Sequence, residues 1–324
     1  MISSLELARI CGVSQGTVDR ALHNRKGISD ATRGKILETA SKYGYCPHPA
    51  AREIITGKNM TVSAILPAIN SVFIMDLMGE IKKKLVEKGY RLIFTTFENT
   101  NEMLELLADF SARRNCASII MPQEENLTIP EHLSTDMKII SLFNPAKGKN
   151  VFFLSPDEEK TGRDAVDYLF KTGHRKIIHL TYPRENFYAV RMRMNGYFAE
   201  MKKKNLNGIT VAGLTEKKLL DMIKKEKPDA LFCHNDWLAL SAIRILEKNK
   251  IPVPEDISVL GIDNSPTFIE LCPDITTMEY PHSWIASSLA ALIYSEKKVP
   301  QAPSFRIIER KTVNSKIWSK SEKN

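Results

Sequence analysis

The sequence predicts a small all-α head followed by a larger α/β body of two parallel-sheet lobes. Three observations carry this. Through the first 45 residues, apolar positions recur only at helical spacing. From residue 61 onward, short β-branched runs alternate with amphipathic helices, the pattern of a parallel sheet. The chain has 324 residues, enough for about two domains or for three when one is small.

In the head, apolar or small residues recur at Leu5, Ala8, Val13, Val18, Ala21 and Leu22, then at Ile36, Leu37, Ala40 and Tyr43. Breaks fall at Gly12-Val13-Ser14 and over 24–27. Ser14 caps a helix over 15–22, and Ser29 with Asp30 caps one reaching residue 43. A linker, Cys46-Pro47-His48-Pro49, leads into a short helix over 50–56 that Pro49 opens and Gly57 ends. Three domains of sequence follow from these breaks: a head over 1–45, a linker over 46–58 and a body over 59–324.

In the body, strands are expected at 61–66, 91–96, 117–121, 138–142, 151–154, 176–181, 208–212, 230–233 and 257–262. Helices are expected at 74–88, 101–114, 159–172, 189–204, 215–226, 235–248 and 282–296. In the first of these, Ile74, Leu77, Met78, Ile81 and Leu85 form one face and Gly89 closes the helix. Two sheets of four to six strands are more usual than one of nine, so the body divides near Pro156.

Charge is uneven. Residues 1–58 hold nine Lys and Arg against five Asp and Glu, which is half of the chain's net +8 in under a fifth of its length. A basic head on a balanced body points to a polyanion partner. The five cysteines are widely spaced with no Cys-x-x-Cys pair, which argues against a disulfide framework and against a metal site. No apolar run approaches the ~18 residues of a membrane span, so no membrane partner is expected. The opening residues lack a basic region followed by an apolar stretch, which makes a cytoplasmic protein the expectation.

Ligands of open parallel sheets bind beyond the strands' carboxyl ends. The polar residues there are Asn70, Glu98, Gln123, Asn144, Asn235, Asp236, Asp263 and Asn264, joined by Arg191 and Arg193 at a helix start. Planar amides, carboxylates and guanidiniums of this kind suit a small polyhydroxylated or heterocyclic ligand, with Phe73, Phe187 and Tyr188 offering an apolar face. Phosphate-binding glycine loops, nucleophile elbows and zinc-helix motifs are missing. The expectation is a binder with no catalytic residues and no cofactor. His174 and His179 read as structural.

The stretch from Leu7 to Leu22, with Ala8, Gly12-Val13-Ser14-Gln15-Gly16-Thr17-Val18-Asp19-Arg20-Ala21 inside it, resembles the head of the lactose-repressor (LacI/GalR) family. The resemblance continues through Gly27-Ile28-Ser29-Asp30-Ala31-Thr32-Arg33 and Tyr43-Gly44-Tyr45-Cys46-Pro47. It extends through Arg191-x-Arg193-x-x-Gly196-Tyr197, Cys233-x-Asn235-Asp236, the run from Pro254 to Asn264, and Thr276-Thr277.

That resemblance implies a helix-turn-helix head, a hinge helix, and two Rossmann-like lobes of the periplasmic-binding-protein type I. One lobe would comprise 59–155 with 280–302, the other 156–279 with 303–315. It implies a dimer, with a tetramer as the alternative, formed through helices 74–88 and 235–248 on a near-palindromic double-stranded DNA operator. DNA contacts would come from Ser14, Gln15, Gly16, Thr17, Asp19 and Arg20, since the N-terminal end of such a helix meets base edges. Ile54 would act as a minor-groove wedge. Effector contacts would come from Asn70, Phe73, Asn144, Arg191, Arg193, Asn235 and Asp263.

Several residues depart from the family pattern. Asp19 replaces the usual Ser, and a carboxylate near phosphates needs either a cytosine amine or Arg20 as partner. Glu53 and Ile55 are unusual in the hinge, and Asn144 stands where an Asp is frequent. The expected function is an effector-responsive transcriptional regulator, a repressor sensing a sugar. The alternatives are the same architecture sensing a nucleobase or other metabolite, or a solute-binding protein. In the effector site, Arg193 with Asn235 and Asp263 is expected to clamp a vicinal diol, against the rival of an Arg193–Asp263 salt bridge.

Overall fold

The computed structural model describes residues 2–22, 24–45, 59–68, 71–183, 186–294, 299 and 301–314. The linker 46–58, with the expected hinge helix and Ile54, lies outside these residues, as does Asn70. The chain divides into two compact units, Met1–Asn59 and Met60–Asn324.

The first unit holds three helices: α1 (Ser4–Cys11), α2 (Gln15–Leu22) and α3 (Asp30–Lys42). Ser3 and Glu6 form a reciprocal cap on α1, the Ser3 hydroxyl accepting from the Glu6 amide at 3.2 Å and the Ser3 amide donating to Glu6 Oε2 at 2.7 Å. Gly12 ends α1 at φ 70°, a left-handed turn that a side chain would strain. Leu7, Ala8, Cys11, Val18, Ala21, Ile36 and Ala40 fill the core. This corrects part of the sequence reading, because Leu5, Leu37 and Tyr43 are exposed. With α1 starting at Ser4, its inward face is set by Leu7, Ala8 and Cys11, and Leu5 falls about 200° from Leu7 at 100° per residue. Arg33 ties the unit together. Its guanidinium donates to the carbonyls of Arg20 (3.1 Å), Ala21 (3.4 Å) and Arg25 (2.7 Å), which closes the C-terminal end of α2.

The second unit is built on two sheets. The first has the order β2-β1-β3-β5-β7, from β1 (Thr61–Pro67), β2 (Arg91–Phe97), β3 (Ala117–Ile120), β5 (Lys138–Leu142) and β7 (Val151–Leu154), all parallel. A minor pair, β4 (Leu127–Thr128) with β6 (Ala146–Lys147), lies apart. The second sheet has the order β13-β12-β11-β10-β8-β9. Its members are β8 (Ile177–Thr181), β9 (Ile209–Ala212), β10 (Ala230–Cys233), β11 (Ser258–Asp263), β12 (Thr276–Glu279) and the antiparallel β13 (Arg306–Ile308). Strands β12 and β13 were not expected from the run of β-branched residues, nor were the short helices Glu131–Ser134 (α6) and Pro266–Leu271 (α11).

The remaining helices are α4 (Val72–Val86), α5 (Thr100–Ala112), α7 (Glu158–Lys171), α8 (Tyr188–Lys203), α9 (Glu216–Glu226), α10 (Asp236–Lys248) and α12 (His282–Tyr294). Helix α12 packs on α4, beside the first sheet, before the chain returns to the second sheet at β13. The chain therefore passes between sheets three times: from β7 to α7, from β12 to α12, and from α12 to β13. The tightest helix pair is α7 against α8. Two glycines permit it. A Cβ on Gly162 would lie 2.1 Å from the Arg193 carbonyl oxygen, and one on Gly196 would lie 1.9 Å from that of Glu159.

Candidate nucleic-acid interface and effector cleft

In the head, Ser14 caps α2 by accepting from the Thr17 amide at 3.2 Å, and its hydroxyl also meets Thr17 Oγ1 at 2.9 Å. The beginning of α2 is thereby fixed with Ser14, Gln15, Gly16 and Arg20 exposed and Thr17 and Asp19 half-buried. Gln15 donates to Ser4 Oγ at 2.6 Å, which bridges the start of α2 to the start of α1. Asp19 bonds to Arg25 at 3.0 Å, so the structure neutralises this carboxylate with Arg25 where the sequence suggested Arg20. Arg20 keeps an exposed side chain on the same surface. Gly16 meets nothing nearer than Ser14 Oγ at 3.8 Å, so the packing of the head does not require a glycine there.

In the body, the strand-end residues take different roles. Asn235 caps α10, its Oδ1 accepting from the Leu238 amide at 3.0 Å and from the Tyr182 hydroxyl at 3.1 Å. Asn144 is fully buried and its amide is taken up by main chain. It donates to the Pro122 carbonyl at 2.8 Å and accepts from the Tyr188 amide at 2.6 Å. It therefore joins the end of β5 to the start of α8. Arg191 makes a two-point pair with Glu125, at 3.0 and 2.7 Å, across the same gap. Phe73 packs on Tyr280 (ring centroids 4.8 Å), His282 (4.9 Å) and Phe143 (6.1 Å). On the far side of β11, Asp76 of α4 accepts from the Thr267 hydroxyl at 2.8 Å and from the Ser265 hydroxyl.

Arg193 departs most from expectation. Residues two apart on a helix point about 200° apart, and Arg193 turns inward, 3% exposed. Its Nε donates to Glu158 Oε2 at 3.0 Å, Nη2 donates to the same oxygen, and Nη1 donates to the His234 carbonyl. Burial is the largest influence and works against its charge, but Glu158, Tyr280 and Asp263 together outweigh it and hold the guanidinium protonated. The Tyr280 hydroxyl completes the group by donating to Glu158 Oε1 at 2.6 Å. The structure thus pairs Arg193 with Glu158, not with Asp263.

Asp263 and Asp236 stand on the neighbouring strand ends. Asp236 accepts from Thr277 Oγ1 at 2.6 Å and from the Asn264 amide at 2.8 Å, yet burial pushes its carboxyl up to about 6. Burial and the adjacent Asp236 raise Asp263 well above the ordinary carboxylate range. His179 is pushed down to about 3 by burial and by Arg193, so its imidazole is neutral. His174 bonds to Ser258 Oγ at 2.9 Å. A cavity of about 940 Å³ is lined by Met75, Asp76, Glu80, Asn264, Tyr280 and His282 among others; Asn264 of the strand-end set lines it, whereas Phe73, Asn144, Arg191, Arg193, Asn235 and Asp263 do not.

Glu158, Glu125, Tyr280, His234 and Tyr182 were not singled out in the sequence. Among the described residues, no group of three or more His, Cys, Asp or Glu is placed to hold a metal, and no helix is long and apolar enough to cross a membrane.

Residues 5–48 match the family of bacterial regulatory proteins of the lacI type, and residues 166–313 match a periplasmic-binding-protein-like domain. Relatives align along nearly the whole chain. The NTD biosynthesis operon regulator NtdR of Bacillus subtilis is 28% identical over 85% of this chain and 87% of its own. The transcriptional repressor CytR of Escherichia coli is 25% identical over 88% and 86%. The chain belongs to the LacI family. This LacI-family chain also resembles the solved lac repressor dimer bound to operator and the anti-inducer ONPF. That likeness has a TM-score of 0.77 at 19% identity and covers 97% of this chain and 99% of that one. A LacI-type regulator from Alkaliphilus metalliredigens, solved with D-xylulofuranose, matches 79% of this chain and 100% of its own at a TM-score of 0.66 and 23% identity. The helical head and the parallel-sheet body are therefore the LacI-family fold.

Proposed function

We propose that this LacI-family protein is a cytoplasmic, sequence-specific transcriptional repressor that binds operator DNA as a homodimer and changes its DNA affinity when a small effector occupies the body. The observation that carries this is the capped N-terminal end of α2. It presents Ser14, Gln15, Gly16 and Arg20 on an exposed surface of a basic unit, the arrangement by which a recognition helix meets base edges. Thr17 and Asp19 flank that surface, and Ile54 in the linker is the candidate wedge.

The body supplies the receptor. Asn144, Arg191–Glu125 and Asp76–Ser265 tie the two sheets together across their strand ends, so a ligand held there bears on how the sheets stand to each other. Phe73, Asn235 and Asp263 are the candidate contacts there, and Asn70, outside the described residues, is a further candidate. A sugar is the effector class proposed, which the polar groups favour and which accords with a relative named the ribose operon repressor. Electrophoretic mobility of duplex DNA, with and without sugars, sugar phosphates and purines, tests this. A sugar that shifts operator affinity supports the reading, and a response confined to purines replaces the sugar with a nucleobase.

A further inference from the structure

The cavity of about 940 Å³ lies against two of the three passages of the chain between its sheets. Tyr280 and Pro281 carry the chain from β12 to α12, Pro303 and Ser304 precede β13, and all four line the cavity. One face of α4 forms a further wall, with Met75, Gly79 and Lys83 recurring every fourth residue. Met75, Ile269 and Trp284 make part of the lining apolar. The volume falls in the ~300–1,000 Å³ range of small-molecule pockets, which share apolar walls with a few placed polar groups. Among the described residues, no proposed effector contact lines it, so it is separate from that cleft.

The charges around the cavity are matched except for one. Six Asp, Glu, Lys and Arg side chains line it. Glu80 pairs with Lys83 at 2.5 Å, and Glu279 pairs with Arg306 at 3.0 Å. Asp76 accepts from the Thr267 hydroxyl at 2.8 Å, from the Thr267 amide at 3.3 Å and from the Ser265 hydroxyl. Arg310 is half-buried and donates only to neutral acceptors, the Ile275 carbonyl at 2.8 Å and Asn264 Oδ1 at 2.7 Å. Among the described residues, no carboxylate bonds to it. A guanidinium carries five N–H groups, so donors remain after those two bonds.

Gly79 supplies an independent observation. It stands in the middle of α4, and apart from proline no residue is less favourable inside a helix. Packing does not demand it, because a Cβ there would meet no heavy atom within 4 Å. A larger side chain at this position would take up cavity space, which the glycine leaves open.

We propose that this cavity is a second ligand site, for a small carboxylic acid with an aromatic or alicyclic body. The carboxylate meets the remaining donors of Arg310, and the body lies against Met75, Ile269 and Trp284. A single guanidinium without a carboxylate partner suits a monoanion. A phosphate dianion would bring an unmatched charge beside Asp76, Glu80 and Glu279.

The test is titration calorimetry on the full chain with indole-3-acetate, phenylacetate and 4-hydroxybenzoate, each beside its neutral amide. At least one acid should bind about tenfold or more tightly than its amide, as a charge-assisted hydrogen bond implies. Arg310→Gln should bring that acid and its amide within about twofold of each other. Gly79→Leu should remove binding of the acid while melting no lower than wild type. Should Gly79→Leu fail to fold, the Arg310→Gln comparison still decides. A panel in which no acid binds, an acid bound no better than its amide, or acid binding that survives Gly79→Leu overturns the proposal. Sedimentation decides the other occupant: a Gly79→Leu chain that falls from dimer to monomer makes the cavity the seat of a second copy, which also overturns it. None of these measurements involves DNA, so the regulator reading is tested apart from this one.

Discussion

Replacing Gly162 by alanine adds one methyl group where the structure has no room for it. The new Cβ would lie 2.1 Å from the Arg193 carbonyl oxygen, 2.8 Å from the Tyr197 amide nitrogen and 3.1 Å from the Arg193 carbonyl carbon. These are backbone atoms in the middle of a helix, so no rotamer change relieves the contact. Restoring an ordinary separation of about 3.5 Å requires α7 and α8 to part by more than 1 Å along that line. Overpacking a core commonly costs about 1–3 kcal/mol, and a rigid backbone contact belongs at or above the top of that range. At ~2–4 °C per kcal/mol for a body of this size, the melting temperature should fall by about 6–12 °C. The head has no tryptophan, and Trp237 and Trp284 lie on helices of the body, so tryptophan fluorescence during heating reads that unit. Because Glu158 and Arg193 sit on the two helices, parting them also loosens the buried pair. A Gly162→Ala variant that melts within 2 °C of wild type would refute the close-crossing argument.

Other substitutions test other links. Arg193→Ala leaves Glu158 buried without its cation and should cost about 3–5 kcal/mol, whereas Arg193→Met with Glu158→Leu should recover much of that loss, which urea unfolding measures. Gly16→Ala should stabilise α2 by about 1 kcal/mol, since nothing crowds the position, while altering the DNA sequence preferred by the head; melting of the head and binding-site selection read the two effects. The Asp236 carboxyl, pushed up to about 6, binds its proton more tightly folded than unfolded. Its stabilising contribution is present below pH ~4 and is lost as pH rises through about 6. Asp236→Asn should therefore gain stability relative to wild type between pH 5 and pH 7.5, whatever its absolute melting temperature, and a difference independent of pH would contradict the burial argument.

The parts legible in the sequence were those set by local rules. Ser14 and Ser29 announce helix starts because their hydroxyls accept from amides three residues on, and each does so. The long helices and the β-branched strands appear within one or two residues of where periodicity places them. What escaped depends on partners distant in the chain. Strands β12 and β13 are four and three residues long and owe their extended form to the sheet they join. Glu158 reads as an acid in the first turn of a helix, a favourable position in itself, and nothing local reveals Arg193 thirty-five residues later. Glu125, in a loop, gives no sign of its pairing with Arg191. Asn144 was expected at a ligand because it ends a strand, yet its amide bonds to two backbone groups that only the fold brings together. Leu5 was assigned to the core by a hydrophobic count that does not fix the phase of an eight-residue helix.

If the capped helix of the basic head reads DNA on behalf of a dimer, the sites it selects carry the dimer's two-fold symmetry. Selection of binding sites by the full-length protein from a random-sequence duplex library tests this most directly, with affinity for the selected site then followed against salt. The expected result is enriched sites with two similar halves related by a two-fold axis, log affinity falling linearly with log salt concentration, and a loss of about 1–3 kcal/mol on Arg20→Ala. Absence of enrichment, or equal affinity for selected and scrambled duplexes at low salt, would contradict it.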